Sequence, residues 1–371
     1  MAKKARRSKA RKTRPGPVVA ESSAAPQPAA ASDPGAADSS EPAGTTAQDA
    51  DLHLRQSIEF TRQGQHDEAL DAARRAVEAD QDRPALWARL GQLLIRAGRL
   101  EEAEAALRKA IATAPDTARL HADLGLVLER RGEFGEALQA ATRAAELDPD
   151  AALFRLRRSQ LLARSGDVAA AAGEAERAVA LQPQNAAFRA HLGRLLAQCG
   201  RLEAAEAAIR AAIAMTQDSA RLQLDLSHVL ERRGDAAGAL LAASRAVELE
   251  PHAAPFRLRH SVLLARSGDV ETGLAEAAHA VALQPENAGL HGHLGRMLAQ
   301  SGQLDAAEDA MRKAVTVAPD DARNHAGLSH ILERRGDHAG ALHAASRAAE
   351  LDPQGVHFLR RRDQLLARQR E

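Results

Sequence analysis

No tyrosine occurs in this chain, and one tryptophan and six phenylalanines make up its 2% of aromatic residues, so any core it builds is aliphatic. Its one cysteine, Cys199, excludes a disulfide framework and, standing just before Gly200, reads as incidental rather than reactive. No stretch of 18 apolar residues occurs, so no membrane-spanning helix is expected. The basic N-terminus is not followed by an apolar run, which excludes a secretory signal. A cytoplasmic chain is the resulting expectation. Lysine is nearly absent after residue 50, where only Lys109 and Lys313 stand against dozens of arginines. With the abundant alanine, this composition points to a GC-rich, bacterial genome.

Catalytic signatures are missing too. There is no glycine-rich phosphate loop, nucleophile elbow, HExxH or cysteine-rich metal spacing, so no enzymatic activity, cofactor or metal is expected. Fifteen histidines are present. His291 and His293 are two apart on one predicted helix and point to different faces, and His325, His330, His338 and His343 form no i, i+4 pair. These histidines read as surface residues. Acid pairs such as Glu101-Glu102 open helices, where negative charge is favoured.

The formal net charge is zero, but it is unevenly spread. Residues 1–14 carry eight bases and no acid, and residues 15–50 carry five acids and no base among Pro, Ala, Ser and Gly. Segment 1–49 is too poor in apolar surface to fold and is expected to be a disordered tail.

What the chain does have is a period of 34 residues. Glycines recur at Gly64, Gly98, Gly132, Gly166, Gly200, Gly234, Gly268, Gly302 and Gly336. An alanine follows each by twelve residues, from Ala76 to Ala348, and a proline by seventeen, except at Gln81 and Gln217. Such a period means a solenoid in which each unit covers its neighbour's apolar face. Within residues 84–117, Trp87, Leu90, Leu94 and Ile95 fall at helical spacing, as do Ala103, Leu107, Ala110 and Ile111. Gly98 suits a left-handed helix end, and Pro115 stops the second helix. Each unit is a helix–turn–helix hairpin. A longer period of 102 residues lies above the first: LERRG occurs at 128–132, 230–234 and 332–336, and LLARSGDV at 161–168 and 263–270. The array reads as copied three-repeat blocks, and residues 356–370 as a polar capping helix.

Trp87, Leu90-Gly91, Ala103, Ala110 and Pro115 resemble the tetratricopeptide repeat (TPR) family at its expected spacing. The resemblance covers residues 50–371 as nine full repeats starting near residues 50, 84, 118, 152, 186, 220, 254, 288 and 322. It implies an all-α, right-handed superhelical α-solenoid. The family's usual tyrosine is Phe60 once and otherwise leucine, as at Leu94 and Leu128. The resemblance also implies that first helices line a concave groove that takes a peptide. The lysines and asparagines of relatives that clamp terminal carboxylates are not matched here, which argues against that specific clamp.

Two residues before the turn glycines stand Arg62, Arg96, Arg130, Arg164, Arg232, Arg266 and Arg334, with Arg368 in the cap. The two repeats with glutamine there carry Arg194 and Arg296 one turn earlier. Cations favour a helix C-terminus, which alone accounts for such a row. A concave row of guanidinium forks also suits a carboxylate-rich partner. The expectation is a non-enzymatic scaffold that binds an acidic protein segment in its groove. Two alternatives stand beside it: nucleic-acid or anionic-surface association through the basic tail, and a stand-alone substrate-selecting array of a glycosyltransferase-like system.

Overall fold

The computed structural model describes the backbone of residues 43–368 and the side chains of residues 46–368; the basic segment 1–14 and the stretch up to residue 42 lie outside the described residues. First helices are α1 (Ala43–Arg62), α3 (Pro84–Arg96), α5 (Ala118–Arg131), α7 (Ala152–Arg164), α9 (Ala186–Gln198), α11 (Ala220–Arg233), α13 (Ala254–Ser267), α15 (Ala288–Gln300) and α17 (Ala322–Arg335). Second helices are α2 (His66–Ala79), α4 (Leu100–Thr113), α6 (Phe134–Leu147), α8 (Val168–Leu181), α10 (Leu202–Thr216), α12 (Ala236–Leu249), α14 (Val270–Leu283), α16 (Leu304–Val317) and α18 (His338–Leu351). Helix α19 (Val356–Arg368) closes the array without a partner. The described residues contain no strand, and the fold is the expected all-α solenoid of hairpins. Helix α1 begins at Ala43, ahead of the repeat boundary near residue 50.

The turn glycine is required for its backbone alone. Gly98 has φ +74°, and a Cβ there would meet nothing within 4 Å. Its left-handed conformation lets Arg99 N–H reach Leu94 O at 3.0 Å, closing the first helix. A different glycine row answers to packing. A Cβ on Gly91 would lie 2.9 Å from Leu107 Cγ, and one on Gly193 would lie 2.6 Å from Ile209 Cγ1. Where the facing residue shrinks to Ala175, Ala243 or Ala277, the glycine is replaced by Ser159, Ser227 or Ser261, all fully buried. The large partners Leu107, Ile209 and Met311 recur 102 residues apart, so part of the longer period is volume exchange across one helix contact.

Helix α19 buries Phe358 and Leu365 against the last repeat. At the seat of Ser159 in α7 and Ser261 in α13, where a second helix packs, it carries Asp363, whose side chain is 61% exposed and pairs with Arg362. A carboxylate at that seat opposes further stacking.

Candidate interaction surface

Consecutive first helices approach one another (α3 with α5, α9 with α11, α11 with α13, α15 with α17) more closely than any two second helices do. The row of first helices therefore lies on the inner side of the curve, and the arginine row rides on it near the helix ends.

The motif LERRG explains both the row and the longer period, because its charged residues reach both neighbours. Glu129 forms an ion pair with Arg157 at 2.7 Å and accepts from Arg164 at 2.8 Å, both in the following repeat. Glu231 is held the same way by Arg259 and Arg266, and Glu333 by Arg361 and Arg368. Arg130 turns the other way and donates to Ile95 O at 3.2 Å, a carbonyl in the last turn of the preceding first helix that also accepts from Gly98 N–H. Arg232 and Arg334 do the same to Ala197 O and Ala299 O. Arg131, Arg233 and Arg335 leave by the opposite face to pair with Glu104, Glu206 and Glu308. The third junction of each block is closed differently: His191 Nε2 donates to Ser159 Oγ at 2.9 Å, and His293 Nε2 to Ser261 Oγ at 3.0 Å, the serine hydroxyls being spent on Ala171 O and Gly273 O. From the second junction to the cap, three junction types thus follow one another in fixed order; at the first, Arg89 stands in the place of His191 and donates to Ser57.

The remaining row members differ. Arg62 has only the exposed Glu59 at 3.7 Å, and Arg194 donates to Asp225 at 3.1 Å. Arg296 stands where Arg194 does one block earlier, but Gly327 occupies the place of Asp225. Arg96 and Arg296 have no hydrogen-bond or ion-pair partner among the described residues. Charge therefore remains on the inner face. Each clamp sets two guanidiniums against one carboxylate, and a guanidinium on a carbonyl keeps its full charge and most of its donors. Two hollows open on this face: about 360 Å³ between α5 and α7, lined by Arg119, Leu126, Leu153, Leu156 and Arg157, and about 150 Å³ between α9 and α11, lined by Arg194, Asp225, His228 and Arg232.

Two readings of the sequence are corrected here. Several histidines are structural rather than surface residues: His291 is buried with Nε2 on Pro285 O at 2.8 Å, and burial, followed by the charge of Arg194 or Arg296, pushes His191 and His293 down to about 4. The position of Trp87 also has a role that its aromatic identity hides. Trp87 Nε1 donates to Gln81 O at 2.7 Å, and in other repeats His121, Arg155, Arg189, Arg257, His291 and His325 donate to the corresponding proline carbonyl six residues back. An N–H donor recurs at that position, and an aromatic ring does not.

No cluster of His, Cys, Asp or Glu suited to a metal ion occurs among the described residues, and none of their helices is long and apolar enough to cross a membrane. Two family models, both described as tetratricopeptide repeat, match the chain: one at residues 60–124 and 162–224, the other at 122–186, 258–322 and 299–356. Comparison with curated protein sequences gives no match. Among solved structures, the APC/C hetero-tetramer Cut9-Hcn1 superposes with TM-score 0.51 at 15% identity, covering 86% of this chain and 67% of that one. A tetratricopeptide repeat protein from Parabacteroides merdae gives 0.51 at 16%, covering 68% and 99%. The pilF protein of Pseudomonas aeruginosa gives 0.50 at 18%, covering 60% and 99%. At these identities the likeness is one of fold, and with the family models matching along most of the hairpin array the chain belongs to the tetratricopeptide repeat family.

Proposed function

We propose that the chain is a non-enzymatic scaffold that takes an acidic segment of a partner protein along its first helices. The contacts would come from Arg62, Arg96, Arg130, Arg164, Arg194, Arg232, Arg266, Arg296, Arg334 and Arg368. One observation carries the reading: after every internal pairing is counted, the row keeps a surplus of guanidinium charge, and Arg96 and Arg296 hold no partner among the described residues. A row of like charges on an inner face raises the local concentration of an anionic ligand. Guanidinium forks then grip carboxylates bidentately. The hollow beside Leu126, Leu153 and Leu156 gives the same segment an apolar foothold.

The test uses a glutamate-rich peptide and the pair Arg96→Glu and Arg296→Glu, chosen because neither residue supports a neighbouring repeat. The wild type should bind the peptide with an affinity that falls as salt rises, since the face is open to water and screened over about 8 Å at physiological ionic strength. The double variant should keep its helical circular dichroism and lose most of the binding, and removing residues 1–14 should change nothing. Equal binding by the double variant, or loss on removing the tail, counts against the inner face.

A further inference from the structure

The junction between α10 and α11 departs from every other in three respects, and shares a fourth, the loss of its proline, with the α2–α3 junction at Gln81. Gln217 stands in place of the proline, and α10 runs to 15 residues where every other second helix has 14. Gln217 and Asp218, at φ +53° and +72°, are the only non-glycine residues with positive φ among the described residues. The N–H donor of this repeat, Gln223, goes to Asp218 Oδ1 at 3.2 Å instead of to a proline carbonyl. Beside this turn, on the face away from the arginine row, lies an open hollow of about 480 Å³ walled by Ile213, Ala214, Leu226, Leu230 and Ala242. At its lip is Leu241, 73% exposed, the most exposed large apolar side chain among the described residues.

The other blocks supply an internal comparison. One block earlier the same place is a hollow of about 220 Å³, where Glu136 and Gln139 stand in the positions of Gly238 and Leu241. There Arg108 reaches across to Glu136 at 2.8 Å and closes the space between the second helices. One block later, His343 takes the place of Leu241. Only the middle block combines an open apolar hollow with a projecting leucine.

We propose that this patch is where two copies of the chain associate about a twofold axis, each Leu241 entering the hollow of the other. A protruding apolar residue next to a matching cavity is what a twofold contact needs, since the same patch serves both sides. The rim agrees. Arg210 is paired with Glu206, and Arg245 with both Asp218 and Glu248, so the charges at the rim are already neutralised within the chain and do not oppose a second copy. A partner of strong net charge finds no unpaired opposite charge there, whereas a second copy brings the same neutral, apolar patch. Arg245 donates through Nε and Nη2 to Asp218 Oδ2 and holds the left-handed turn in place beneath the hollow.

Light scattering on the full chain should give a species of twice 39.4 kDa that dissociates on dilution. Leu241→Gln, which installs the residue of the first block at an exposed site, should weaken association about a hundredfold, a factor of ten or more from each of the two leucines. Leu52→Gln, at a residue 52% exposed on α1, should leave association unchanged. In a Cys199→Ser background, Leu241→Cys should form an intermolecular disulfide on mild oxidation, and Leu52→Cys should not. A wild type that stays monomeric at every concentration overturns the proposal, whatever else the hollow binds. So does a dimer that Leu241→Gln leaves intact.

Discussion

Lowering the pH from 7 to 5 should destabilise the array through two imidazoles. His191 and His293 each donate Nε2–H to a serine already committed to a backbone carbonyl, so protonation adds a charge at Nδ1 in a half-buried site facing Arg194 or Arg296. Both are held at about 4 against an ordinary value of 6.5. The unfolded chain therefore takes up protons between pH 6.5 and 4 that the folded chain refuses. Stability is present above that window and is lost as pH falls through it. Each unit of difference corresponds to about 1.4 kcal/mol, so the step from pH 7 to pH 5 removes about 2 kcal/mol per histidine, or about 4 kcal/mol for the pair. His228 and His260, lowered by burial, act in the same direction. Carboxylates held low, such as Glu206 and Glu333, lose their contribution only below about pH 4.5, so this window isolates the histidines. Urea midpoints followed by circular dichroism at the two pH values provide the measurement, because a repeat array need not unfold in one step. His191→Gln with His293→Gln keeps an N–H donor and removes the titration. A wild-type midpoint that does not move between pH 7 and 5, or a double variant that loses as much as the wild type, refutes the reasoning.

Two further outcomes are expected. Gly98→Ala should cost about 1–2 kcal/mol, all of it from the left-handed backbone, because a Cβ there meets no atom; thermal melting checks this, and an unchanged melt rules out a conformational requirement at that turn. Trp87→Arg should be tolerated better than Trp87→Leu, since arginine already donates to the same carbonyl in three other repeats, whereas leucine leaves Gln81 O unpaired at a cost of about 0.5–1.5 kcal/mol. Comparing the two melts decides whether the donor or the ring matters.

The fold was legible because its signals are local. Nine glycines at one spacing name nine left-handed turns, and alanine and proline at fixed offsets name the contact and the stop. The destinations of the arginines were not legible. Arg130 and Arg164 occupy the same position of consecutive repeats, yet one reaches backward to a carbonyl and the other to a glutamate, and only the residues some 35 positions earlier decide which. Helix-end preference and ligand binding both fit such a row; that most of it ties repeats together needed coordinates. The Ser–His bonds were missed because a histidine on a helix gives no sign of the serine 32 residues behind it. The hollow at Leu241 is half visible: the missing proline at Gln217 is plain in the sequence, but its effect on the neighbouring second helices is not.

The fixed order of the three junctions gives the array something like a reading frame. A glutamate clamp needs arginines at set places in the next repeat, and the repeat after that offers histidine and glutamine instead. Removing the repeat that follows Glu129 would bring it against His191 and Gln198 and leave that clamp without its arginines, while the later junctions would keep their mates. Adding or removing three would leave each surface facing its proper mate. A change of 102 residues therefore preserves every junction and a change of 34 breaks one, although the helices themselves are interchangeable. The grammar of the chain is written in its seams.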